Sequence, residues 1–179
     1  MIITETMTPS VPTLSDKQIE RLSGLNNRFA MWFWLLYNLP AAWFMGVAVK
    51  NITSERCEVT LPYGWRSQNP FRSIYFAAQA AAAEFSTGAI GTLALTGRPK
   101  CSMLVSKIEM EFYKKANSLT TFTCEQGAEV FETVEKAFQT GIPQQITMVS
   151  KGVQKTGELV SITRITWSFK ASQTSAANR

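Results

Sequence analysis

Histidine is absent from the 179-residue sequence, and no other feature removes so much chemistry. Ser-His-Asp and Cys-His catalysis, HExxH metal sites and the His/Glu chemistry of dehydratases all need an imidazole. Any acid–base work falls to a carboxylate, Lys, Tyr or Cys. Cysteine is scarce too: Cys57, Cys101 and Cys124 are odd in number and far apart, with no CxxC pair. That usage indicates neither a zinc site nor a disulfide framework and fits a reducing cytosol, so a cytoplasmic protein without a metal is expected. Charged residues make up only 17%, but 45% are hydrophobic, which excludes disorder of the whole chain. The basic residues behind the net charge of +5 are scattered. Without a basic stripe interleaved with aromatics, nucleic-acid binding is not expected. Short clusters such as Lys114-Lys115 and Arg98-Pro99-Lys100 suit the phosphates of a small molecule.

One long uncharged run is present, residues 29–49, between Arg28 and Lys50. Its length suffices to cross a bilayer. Asn38 and Pro40 interrupt its middle, where Pro would break the backbone ladder. Its aromatics gather in the first half and centre rather than at both ends. The plainer reading is an amphipathic or buried helix over 28–38 that leads through a Pro turn into a first strand. Membrane-surface attachment and a span are the alternatives, and the expectation is against membrane association. A charged, polar leader precedes the run, so it does not read as a signal peptide either.

The rest of the chain reads as one domain over 14–170, with a loose leader over 1–13 and a frayed tail over 171–179. Ser15 and Asp16 open a short helix to about Leu25, which Asn26-Asn27 interrupts. Alternation over 47–52 and 55–61 predicts a hairpin, and 62–70 reads as loop. The strongest helical segment spans 72–95, with six alanines between Ala77 and Ala83 broken only by Gln79. Charge is nearly absent there, so the helix is expected to be buried almost all round. Residues 103–113 alternate as a strand, with Ser106, Ile108, Met110 and Phe112 on an inward face. A strand over 119–125, a surface helix over 127–140 and strands over 144–150 and 158–169 complete the order. One helix embedded in one antiparallel sheet is the plainest solution, an α+β architecture.

The run Asn69-Pro-Phe-Arg-Ser-Ile-Tyr-Phe, then the alanine helix and Glu84, resembles the hotdog superfamily. It is similar in particular to a domain-of-unknown-function branch close to phenylacetate-pathway-type acyl-CoA thioesterases. In those enzymes an Asn precedes the helix, a His-Gly-Gly opens it six residues later, and a carboxylate follows nine residues after that. Here Asn69 matches the Asn, Tyr75-Phe76-Ala77 replaces His-Gly-Gly, Glu84 matches the carboxylate, and Ser106 matches a Ser or Thr on the next strand. The resemblance covers roughly residues 40–170. It implies a hotdog fold, a long central helix wrapped by an antiparallel sheet. It also implies hydrolysis of an acyl-CoA or acyl-carrier thioester with no cofactor beyond the coenzyme A of the substrate.

In the roles so implied, the Phe76 backbone N–H holds the thioester carbonyl at the helix N-terminus. Glu84 acts as general base or nucleophile, Asn69 orients water or carbonyl, and Ser106 helps hold the water. The site is shared between two subunits of a homodimer, alone or within a tetramer. Arg66, Arg72, Arg98 and Lys100 are candidates for coenzyme A phosphates, and Phe71, Phe76, Met103 and Met110 for an acyl pocket. Each residue also has a plainer role: Glu84 at a solvent-facing helix end, Asn69 in a turn, Ser106 as a small polar filler, Tyr75 in packing, the cations as solvated surface charge. The alternative function is a non-catalytic hotdog module that binds an acyl group or lipid or serves assembly.

Overall fold

The alanine-rich segment forms a helix that small side chains allow a sheet to close around. The computed structural model describes residues 11–172. Three helices lead the chain: α1 (Asp16–Asn26), α2 (Arg28–Asn38) and α3 (Pro40–Met45). A hairpin of β1 (Ala48–Ile52) and β2 (Cys57–Leu61) precedes the central α4 (Phe76–Leu95). Then come β3 (Cys101–Phe112), β4 (Thr120–Cys124), α5 (Gly127–Thr140), β5 (Gln144–Gln154) and β6 (Leu159–Ala171). All six strands join one sheet in the order β1-β2-β4-β5-β6-β3, and every pairing is antiparallel.

From Ala82 to Gly91, every residue of α4 except Glu84 is buried. Val59, Phe122, Met148, Ile165 and Phe169 bury their side chains in the same core. The leading helices pack against α4 and β1. Gln18 in α1, itself buried, donates from Nε2 to the Leu93 and Ala94 carbonyls at 3.4 and 3.3 Å, in the last turn of α4, where helix carbonyls lack intrahelical partners. Asn26 closes the β1 edge by exchanging bonds of 2.8 and 3.0 Å with the backbone of Ile52.

Three expectations need correction. Pro40 opens a helix instead of a turn, because at the first helical position its missing N–H costs nothing. The uncharged run is thus two helices and a strand, and no helix among the described residues is long and apolar enough to cross a membrane. The central helix begins at Phe76, not at residue 72, since Arg72 takes φ +58° and Gln68 bridges Ile74. The third concerns β3. A bulge between Val105 and Lys107 breaks its alternation, so Ser106 is exposed and Ile108 and Phe112 are about half exposed. The hairpin strands β5 and β6 run longer than the sequence suggests. Of the leader, residues 1–10 lie outside the described part, as do 173–179 of the tail.

Candidate functional site

Asn69, Tyr75 and Phe76 meet at one pocket. The Asn69 Oδ1 accepts from the Phe71 N–H at 3.0 Å, the Ser73 N–H at 3.2 Å and the Ser73 hydroxyl at 3.2 Å. Three donors on one atom fix the amide orientation and leave Nδ2 free to donate elsewhere. This turn stops the chain from becoming helical before Tyr75, which sits extended as the N-cap without a side-chain cap bond. Among the described residues, neither the Phe76 nor the Ala77 N–H finds an acceptor. Two open donors at the positive end of a 20-residue helix favour a developing negative charge. The pocket, about 820 Å³, is walled by Phe71, Ile74, Tyr75, Phe76 and Phe112, with Lys114 and Lys115 at one side.

Gln79 also lines this pocket, a residue to which no role is assigned above. It is buried, its Nε2 donates to the Ile74 carbonyl at 3.2 Å, and its Oε1 has no partner among the described residues. A sequence signal existed, since Gln79 is the one polar residue in the alanine run.

Glu84 lies eight residues after Phe76, about 12 Å along the helix axis, and lines different cavities. One, about 160 Å³, is bounded by Arg21, Trp34, Gly88, Met103 and Trp167; the other, about 270 Å³, by the α2–α3 bend around Leu39 and Pro40. The carboxylate makes no hydrogen bond or ion pair among the described residues. Burial pushes its pKa above the ordinary carboxylate value. The indole of Trp167 closes the site: its Nε1 donates to the Thr87 hydroxyl at 2.9 Å. Gly88 allows that approach, because a Cβ there would meet the indole at 3.1 Å and Glu84 Oε1 at 3.3 Å. Glu84 therefore sits in mid-helix and largely enclosed, contrary to the solvent-facing alternative.

The single chain does not unite all the sequence-selected residues. Ser106 is exposed at the bulge and donates to the Thr166 carbonyl at 3.2 Å, so its expected place on an inward face is overturned. Of the expected acyl wall, Phe71 and Phe76 line the large pocket and Met103 lines the Glu84 cavity, while Met110 lines neither. Arg98 is engaged with Glu135 at 2.5 Å and lies over the Phe138 ring. Arg72 and Lys100 are exposed, and Arg66 borders a separate groove. The thiols are poor nucleophiles: desolvation raises all three, Cys124 to about 11.

A model of the family described as a domain of unknown function, DUF4442, matches residues 30–169. The chain belongs to that family. Its DUF4442 domain shares its fold with solved structures at low sequence identity. A probable thioesterase from Pseudomonas aeruginosa is 15% identical with a TM-score of 0.68, covering 80% of this chain and 96% of its own. A Chlorobaculum tepidum protein of unknown function is 12% identical with a TM-score of 0.69, covering 84% and 99%. A Haemophilus influenzae thioesterase is 16% identical with a TM-score of 0.61, covering 94% and 99%. No curated protein matches the sequence. The DUF4442 domain is thus a hotdog: α4 is the long helix and the six-stranded sheet its wrapping.

Proposed function

We propose that this protein hydrolyses an acyl-CoA or acyl-carrier thioester at a site shared by two copies of the chain. The observation that carries this reading is the placement of β3. Its beginning, at Met103, lies beside the Glu84 cavity, and its end, at Phe112, lies in the wall of the Asn69–Phe76 pocket. β3 is also an outer strand of the sheet, 12 residues long, with Leu104, Ile108 and Phe112 left exposed. Such an edge invites pairing with another strand. Antiparallel pairing with the β3 of a second copy, centred near mid-strand, sets the start of one against the end of the other. Glu84 of each copy then faces the helix N-terminus of the other, and Lys100 moves toward the Lys114-Lys115 side. A two-fold arrangement makes two equal sites.

In the proposed reaction the Phe76 N–H and the Asn69 amide hold the thioester carbonyl oxygen. Glu84, poised by its raised pKa, takes a proton from water as that water attacks the carbonyl carbon. Negative charge passes to the carbonyl oxygen, at the open donors. Collapse expels the thiolate, which recovers the proton from Glu84. The Pseudomonas probable thioesterase and the Haemophilus thioesterase agree in kind with this chemistry.

The test is hydrolysis across acyl-CoAs of varied chain length and aromaticity, wild type against Glu84→Gln. A drop of about a hundredfold is expected, the scale of losing a general base. The bulk of Tyr75 and Phe76 at the helix start favours the alternative, a non-catalytic acyl-binding module. Absence of turnover across the panel, with acyl ligand retained in native mass spectrometry, would establish it instead.

A further inference from the structure

Between Glu20 and Glu55 the sequence has no aspartate or glutamate, whereas Arg21, Arg28 and Lys50 are basic. Within that stretch α2 fully buries only Met31 and Leu35. Phe29, Trp32, Phe33 and Tyr37 recur at helical spacing on its other side and are 83%, 47%, 55% and 81% exposed. Core packing does not account for them, since the inward positions are filled by other residues. Beside this face a groove of about 800 Å³ runs between α2, α3 and β1, walled by Phe29, Trp32 and Trp43. Arg28 and Arg66 border it, and neither has a carboxylate partner among the described residues.

Four large aromatics on one helix face are more than an ordinary surface carries singly, and a contiguous patch of this kind marks a contact. Its chemistry identifies the partner. Trp and Tyr concentrate where hydrocarbon meets water, because their rings are apolar and their edges polar. Flanking cations without anions complement acidic headgroups and repel no part of an acidic surface. We propose that the exposed face of α2, with Arg28 and Arg66, seats the protein on the surface of an anionic phospholipid bilayer. The helix lies flat, so Pro40, which argues against a span, is no obstacle. This surface is separate from the pocket at α4 and stands whether or not thioesters are hydrolysed.

The experiment is flotation of the full-length protein with phosphatidylcholine vesicles, with and without phosphatidylglycerol. Binding is expected to rise with phosphatidylglycerol, to weaken with salt, and to bring tryptophan within reach of brominated acyl chains. Phe29→Ser with Phe33→Ser should abolish it, and Arg28→Gln and Arg66→Gln should each weaken it roughly fivefold. These side chains are exposed, and circular dichroism verifies that the variants fold. Absence of binding to anionic vesicles, or binding indifferent to these variants, overturns the proposal. So does a fall in oligomer mass on sedimentation of the Phe29→Ser, Phe33→Ser variant without vesicle binding, which assigns the face to a second copy.

Discussion

A carboxylate in a helix of small residues cannot be shielded by its own neighbours. Ala81, Ala82 and Ala83 offer Glu84 no donor, and Trp167, Phe85 and Leu39 replace water around it. The raised pKa follows from that enclosure. It also means that the folded protein holds this proton more tightly than the unfolded chain does. The contribution to stability is therefore fully present below the ordinary carboxylate pKa and is lost as pH rises through the folded pKa. Glu84→Gln should accordingly raise the Tm above that of wild type at pH 8, with the gap closing as pH falls toward 4. Thermal melts across that range check it, and a Gln variant less stable at pH 8 would mean that the carboxylate has a charged partner. At this scale the sequence was legible where spacing carried the information. Asn69 and Phe76 reach one pocket because loop and helix are adjacent in the chain. Ser106 is exposed because a bulge reverses the alternation from which its inward direction is read. Gln79 was visible as the odd residue among alanines, but its orphan oxygen depends on packing that no local pattern encodes.

Elements were easier to read than their ends. Alanine content and lack of charge specified α4 and its burial, yet its first turn yields to a loop, because Asn69 ties Phe71 and Ser73 into a turn and Arg72 goes left-handed. The leading helices were readable as helices, but that their bend covers Glu84 is a tertiary fact. The start of α5 is set by contact. A Cβ at Gly127 would lie 2.0 Å from the Ser54 carbonyl oxygen and 2.5 Å from the Glu55 Cα, both backbone. Its N–H also bonds the Glu55 carbonyl at 2.9 Å. Gly127→Ala should destabilise the fold by about 2–3 kcal/mol, the upper range for overpacking, as measured by denaturant unfolding. A cost near zero would mean that the β1–β2 turn moves freely away from α5.

The whole molecule places the Glu84 cavity and the Asn69–Phe76 pocket at opposite ends of one exposed strand, and the proposed shared site gives meaning to an otherwise costly edge. β1, the other outer strand, is short and tied to Asn26, whereas β3, though also bulged, runs for 12 residues along the open edge. In the proposed dimer, pairing through β3 would cover Leu104 and Ile108 and complete the site in a single step. The most direct test is complementation between two inactive variants, Glu84→Gln and Phe76→Pro. Proline fits the first helical position, and Tyr75 already holds the extended backbone that a residue before proline prefers, so the second change removes the N–H donor and keeps the helix. Each variant alone should lose about a hundredfold or more in thioester hydrolysis. Unfolded and refolded together in equal amounts, they should recover about a quarter of wild-type activity, since half the dimers are mixed and each carries one intact site of two. Activity no higher than that of the parents, with mixed dimers shown by native mass spectrometry, would contradict a site built from Glu84 of one copy and the helix N-terminus of the other.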